Sequence, residues 1–159
     1  MENVMDGSRG VPGNAPPPEA RTLVRVATRF EARPSGLAEL HTACERLFDA
    51  AQAAGAPVRR ADKFPVVTAA AEIAANIILH ACVDTPDSEV VLVLCRTPHT
   101  VEVSFEDPGV TFVEAGTGHG LTIARASVHT VEYTRTEGIN RWLLIRQTGL
   151  GQSEDGAFL

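Results

Sequence analysis

The chain has 159 residues, enough for one domain with a real hydrophobic core and too few for two. Apolar residues make up 44% and charged residues 21%, a globular composition that excludes a disordered or membrane-embedded chain. The net charge of −6 argues against a direct nucleic-acid partner, because such binding needs a basic footprint.

Residues 1–20 are rich in Gly, Pro, Asn and Ser and read as a flexible lead-in. They carry no basic region followed by an apolar run, so no signal peptide is expected. No stretch is expected to reach the ~20 apolar residues of a bilayer span, and the reading is a cytoplasmic protein with no membrane partner. Cys44, Cys82 and Cys95 are odd in number, far apart and set in apolar patterns, which points to buried free thiols. The cluster Arg59, Arg60 and Lys63 reads as a solvated face.

From residue 21 the hydrophobic period switches clearly. Val24, Val26, Thr28 and Phe30 alternate with charged residues, as in a half-buried strand. Ser35 is placed to cap a helix whose one face carries Leu37, Leu40, Cys44, Leu47, Phe48 and Ala51, and Gly55 and Pro57 end it. A second helix is expected from about Asp62 to Cys82, with Pro65 tolerated in its first turn. Strands follow at 89–96 and 100–106, separated by a turn at Thr97, Pro98 and His99. A short helix after Gly120 leads to a hairpin of 131–135 and 140–147, turning at Glu137 and Gly138. The tail at 149–159 is again polar and glycine-bearing. This order predicts an α+β fold, a two-layer sandwich with helices on one face of a mixed, mostly antiparallel sheet, over residues 21–148.

Three segments carry candidate chemistry. In the second, almost wholly apolar helix, Glu72, Asn76 and His80 recur every four residues and so line one edge. An exposed polar stripe would give the same spacing. The functional alternative is an Asn carboxamide oxygen offered to Mg²⁺ together with substrate phosphates, and a Glu one turn away acting as general base. The strand Val101, Val103, Phe105 then breaks at Asp107, Pro108 and Gly109. That is favoured turn chemistry, but it also places a carboxylate where it could accept a hydrogen bond from an adenine amino group, beside a glycine that permits close approach. Lastly, Gly116, Gly118 and Gly120 precede the helix that opens Leu121, Thr122, Ile123. Glycines at a helix start expose backbone N–H groups that favour anions, although this spacing alone is as often a plain flexible loop.

Taken in order, these segments resemble the motifs of the GHKL (Bergerat-fold) ATPase superfamily, and within it the small bacterial anti-sigma-factor serine/threonine kinases. Glu72 and Asn76 are similar to the N box, Asp107 and Gly109 to the G1 box, and Gly118, His119, Gly120 and Leu121 to the G2 box. Segments 120–135 and 138–144 also look like the end of such kinases, and the likeness covers about residues 22–147. The resemblance implies an ATP and Mg²⁺ site. In it Asn76 would hold Mg²⁺, Glu72 would be the catalytic base, and Asp107 would read the adenine amino group. Gly109 would line the adenine pocket, and Gly118 and Gly120 would cradle phosphate, with His119 and Leu121 in the same motif. It further implies a regulator that sequesters a sigma factor and phosphorylates a small anti-anti-sigma (STAS-type) protein. Family members are often dimeric, and a homodimer is open to this chain. Thr111 stands where the family carries a second G1 glycine. Only five residues separate Phe112 from Gly118, none of them Arg or Lys, and His119 and Arg125 are the nearest cations in sequence. Those departures leave a second reading, a catalytically weak or inactive module that acts by sequestering its partner. A sensor histidine kinase fragment fits less well, since no helix pair with a phospho-accepting His is present.

Overall fold

The computed structural model describes residues 21–114 and 118–149. The lead-in and nearly all of the tail expected from sequence lie outside these residues, as do Gly116 and Thr117. In chain order the elements are β1 (Val24–Glu31), α1 (Gly36–Ala53), α2 (Arg60–Asn76), a π-helical turn (Ile77–Ala81), β2 (Glu89–Arg96), β3 (Thr100–Asp107), α3 (Gly120–Ser127), β4 (Thr130–Thr136) and β5 (Ile139–Gln147). The strands form one sheet in the order β1-β2-β3-β5-β4, and all four pairings are antiparallel. The α+β two-layer reading therefore holds, with the sheet antiparallel throughout.

Strand alternation decides which side of the sheet is covered. Val26 and Phe30 of β1, Val90, Leu92 and Leu94 of β2, Val101, Val103 and Phe105 of β3, and Trp142 and Leu144 of β5 all face the helices and are buried. Against them pack Leu40, Leu47 and Ala51 of α1 and Val66, Ala70, Ile73 and Ile77 of the second helix, in one contiguous core. Side chains of this size stabilise by roughly 1.5–3 kcal/mol each when fully buried, so the layer contact is the main source of stability.

Local sequence sets the ends. Ser35 occupies the cap position of α1, but its side chain makes no capping bond. The next residue is glycine because a Cβ at Gly36 would lie 2.5 Å from the Phe30 ring. At the other end Gly55 takes φ +76, and the Ala56 N–H reaches back to the Ala51 carbonyl at 2.9 Å, which closes the last turn. The β4–β5 hairpin turns through Glu137 and Gly138, both with positive φ, as a two-residue turn between twisted strands requires.

The second helix differs from expectation in two ways. It begins at Arg60, two residues early, so Pro65 lies past its first turn. It also widens into the π-helical turn, where the Cys82 N–H bonds the Ile77 carbonyl at 2.8 Å. By length and composition Arg60–Ala81 is apolar enough to cross a membrane, contrary to the expectation that no stretch would be. Its apolar residues are instead spent on the sheet: Val66, Ala69, Ala70, Ile73, Ala74 and Ile77 are all at most 1% exposed. This is the fold's core helix.

The early start puts Asp62 inside, 2% exposed. Its Oδ1 accepts from Arg146 Nε at 3.0 Å, and Arg59 stands 3.4 Å from Oδ2. Arg146 also donates to the Ser127 carbonyl, so this one carboxylate ties α2 to β5 and to the end of α3. Removing it strands a largely buried guanidinium. Asp62→Ala is expected to lower the unfolding free energy by about 3 kcal/mol, the low end for breaking a buried pair, read as a lower urea midpoint. A loss below about 1 kcal/mol would put the pair in the class of surface bridges.

Candidate functional site

The second helix and its π-helical turn form one wall of a cleft of about 240 Å³. Asn76, Ile77, His80 and Ala81 line this wall, and Val110, Thr111, Phe112 and Val113 line the other, with Asn140 and Trp142 completing the lining. The π-helical turn sets how the two walls meet. Its Ala81 carbonyl accepts the Val110 N–H at 2.9 Å. A Cβ at Gly109 would lie 2.4 Å from that same oxygen. The close approach that Gly109 permits is thus to Ala81, and its neighbours 110–113, rather than Gly109 itself, line the cleft. A π-turn inside an α-helix is often found at a functional position.

Asn76 is 7% exposed, and its Nδ2 has no hydrogen-bond partner. Glu72, one turn earlier, is half-buried. Gly120, the first residue of α3, abuts both: a Cβ there would fall 2.7 Å from Glu72 Oε2 and 3.7 Å from Asn76 Oδ1. The α3 N-terminus therefore abuts the same place as the Glu and the Asn, and the first N–H groups of a helix have no intrahelical partner. Gly118 holds φ +69, a conformation suited to glycine, and His119, exposed, occupies the α3 cap position. Leu121 sits apart from this group, 4% exposed in the core. His80, within the π-helical turn, is exposed and lines the cleft.

At the end of β3 the inward alternation of Val101, Val103 and Phe105 continues into Asp107, 1% exposed. Asp107 Oδ1 accepts the Gly109 N–H and Asn140 Nδ2, each at 2.9 Å, and faces the Cys82 thiol at 3.7 Å. Asp107 Oδ2 is buried and unpaired. Burial, and then the neighbouring Asp107 charge, push the Cys82 thiol up to about 11, so it stays protonated and can donate. Cys44 is pushed up to about 12, mainly by burial, and all three cysteines are free, with Cys95 partly exposed.

Asn140, Tyr133 and Arg135 belong to this site and were given no role from sequence. A signal was present: in β5, Asn140 occupies an inward position of the alternation that continues with Trp142 and Leu144, where an apolar residue is expected. Just past the cleft wall, Glu114 forms an ion pair with Arg125 at 2.8 Å.

Among the described residues no three His, Cys, Asp or Glu side chains are grouped to hold a metal ion. A hard cation would depend here on one Asn oxygen and on oxygens of a phosphate ligand, the donor set Mg²⁺ accepts. Asn76 lines the cleft, whereas Asp107 lies behind the lining, bonded to Asn140, which does line it. The orphaned polar atoms of Asn76 and Asp107 suit a ligand that is polyanionic at one end and offers a hydrogen-bond donor at the other.

An antiparallel sheet covered by helices, with an Asn–Glu helix facing a glycine-led helix start, defines a GHKL-like fold. The family model of the histidine kinase-like ATPase domain matches residues 17–146, and the chain belongs to that family. Among solved structures it is similar to the RsbU and RsbW domains of Rv1364c from Mycobacterium tuberculosis, with a TM-score of 0.57 and 19% identity. That likeness covers 78% of this chain and 32% of the other, so this chain spans about a third of that protein's length. No curated protein matches the chain.

Proposed function

We propose that the chain is an ATP-binding anti-sigma-factor-type regulator: a cytoplasmic serine/threonine kinase that phosphorylates a small STAS-type anti-anti-sigma protein and sequesters a sigma factor. The observation that carries this reading is the convergence of Glu72, Asn76 and the α3 N-terminus at Gly120, on the helix that walls the cleft. Family membership supports the nucleotide, and the RsbW-containing neighbour supports the partner-switching setting.

Asn76 would hold Mg²⁺ through its side-chain oxygen, and the ion, when bound, supplies neutralisation of phosphate charge. The N–H groups at the start of α3 orient the phosphates, and Asp107 Oδ2 accepts the adenine amino group. Glu72 takes the proton as the partner's Ser or Thr oxygen attacks the γ-phosphorus; the bond to the β–γ bridging oxygen breaks, and ADP leaves with that electron pair. Little covalent work falls to the protein, so positioning carries most of the catalysis.

Calorimetric titration of Mg²⁺-ATP is the direct test. Binding is expected, and Asp107→Ala is expected to weaken it by about 10- to 100-fold, the value of one hydrogen bond to a charged acceptor. Equal heats from both proteins would remove Asp107 from the site.

One observation favours the sequestration-only reading. Arg125, a candidate to reach the γ-phosphate, is already paired with Glu114. Full retention of partner regulation in Glu72→Ala or Asp107→Ala protein would support a module that works without turnover.

A further inference from the structure

Strand register places three polar residues in one row across the sheet. Asp107 of β3 lies directly opposite Asn140 of β5, and Asn140 lies directly opposite Arg135 of β4. The row just before it holds Phe105, Trp142 and Tyr133 in the same register. An aromatic row therefore walls a polar one, and Asn140 in its middle is fully buried.

The bonds around Asn140 run in one direction. Its Oδ1 accepts from the Tyr133 hydroxyl and from Arg135 Nη1, the latter at 2.7 Å. The Tyr133 hydroxyl in turn accepts the Phe112 N–H at 3.0 Å, so its proton is free to point at Asn140. Two donors on one side of the amide fix its orientation, because the reverse orientation would set NH₂ against N–H and O–H donors. Asn140 Nδ2 must then face Asp107 Oδ1, and it also donates to the Val110 carbonyl at 2.9 Å. Arg135 Nη1 donates as well to the Gly109 carbonyl at 2.8 Å.

Asp107 Oδ1 is thereby saturated by the Gly109 N–H, Asn140 Nδ2 and the Cys82 thiol, and Oδ2 is buried without a partner just behind the cleft lining. We infer that Asn140, oriented by Tyr133 and Arg135, is a positioning and specificity residue: it holds Asp107 so that a single buried acceptor meets the ligand. The site then takes a purine bearing a 6-amino group and rejects one bearing a 6-carbonyl, whose oxygen would face an acceptor with no proton between them. This rests on the proposal that Asp107 reads the base. It goes further in assigning the discrimination to a polar row on β5 and β4, and in linking base recognition to Val110 and Phe112 of the opposite cleft wall.

The test compares Mg²⁺-ATP with the Mg²⁺ complex of purine riboside triphosphate, which has hydrogen in place of the 6-amino group. Calorimetry is run on the full chain and on Asn140→Ala and Tyr133→Phe, with thermal unfolding to confirm that each variant is folded. The parent protein is expected to prefer ATP by about 10- to 100-fold. In Asn140→Ala the preference is expected to collapse to about 3-fold or less, because an unpinned Asp107 satisfies itself locally. The loss should fall more heavily on ATP than on the 6-hydrogen analogue, so the ratio of the two affinities is the readout. Tyr133→Phe removes one of the two donors that fix the amide and should narrow the preference by about 3-fold; it decides the matter alone if Asn140→Ala does not fold.

A merely structural Asn140 would weaken both ligands equally and keep their ratio, which overturns the inference while the adenine reading stands. A parent protein that binds both ligands equally overturns the adenine reading and the inference together.

Discussion

Glu72→Gln is expected to abolish phosphoryl transfer while leaving Mg²⁺-ATP affinity almost unchanged. The substitution keeps the shape that fits beside Gly120, where a single added methyl would already lie 2.7 Å from the Glu72 carboxylate. What it removes is the ability to accept a proton. A positioned general base contributes about 10²- to 10⁴-fold, so single-turnover ADP formation with the STAS-type substrate should slow by that factor. Under the proposed function nucleotide binding draws instead on Asp107 Oδ2, Asn76 and the α3 N–H groups, and a glutamine of the same shape leaves their positions unchanged. If affinity falls together with turnover, Glu72 is a structural or binding residue and the base lies elsewhere. Should turnover persist at the parent rate, the kinase stands and Glu72 is not its base; only a parent protein that binds Mg²⁺-ATP and transfers no phosphoryl group would favour the sequestration reading.

The fold was legible where one local rule governs a whole element. The period-two alternation of β1, β2 and β3 and the apolar face of α1 each follow from burial on one side, and the Glu137–Gly138 turn follows from its demand for positive φ. The π-helical turn was not legible. Ile77, Ile78 and Leu79 continue an apolar run with no break in composition, and nothing local separates a 3.6-residue turn from a wider one. Its stabilising partner, the Val110 N–H on Ala81, comes from beyond two intervening strands. The same reasoning divides the candidate site. Glu72 and Asn76 fall on one edge by helical spacing alone, whereas a site shared with Gly120 was implied only by the resemblance to the GHKL motifs. The row Asp107, Asn140, Arg135 depends on the register of three strands, one of which, β5, pairs out of chain order between β3 and β4. A side chain such as Arg135, outward by composition and exposed over much of its length, gives no sign in one dimension that its guanidinium closes a buried amide.

Gly109→Ala is expected to be the most damaging single methyl for nucleotide binding among the described glycines. The added Cβ would meet the Ala81 carbonyl oxygen at 2.4 Å, its carbon at 2.6 Å and Asp107 Oδ1 at 2.8 Å. Two of these three are backbone atoms of the π-helical turn, so no flexible side-chain tip can swing away. Relief requires that the 109–113 wall retreat from the helix, which breaks the Val110 bond to Ala81, and that wall or the Asp107 side chain must also shift to clear Oδ1. Either shift changes the cleft proposed to hold the base. Overpacking of this kind costs about 1–3 kcal/mol, read as a lower urea midpoint. Mg²⁺-ATP affinity should fall by at least about 10-fold, the equivalent of 1.4 kcal/mol of displaced geometry. Gly138→Ala is the matched control. Gly138 has φ +78 with nothing within 4 Å of an added Cβ, so alanine there meets only backbone strain, about 1–2 kcal/mol. Comparable destabilisation with intact nucleotide binding in that variant would locate the Gly109 effect in the cleft. Parallel loss of binding in both would show that affinity merely follows stability, and the contact between Gly109 and the π-helical turn would then have no special part in the site.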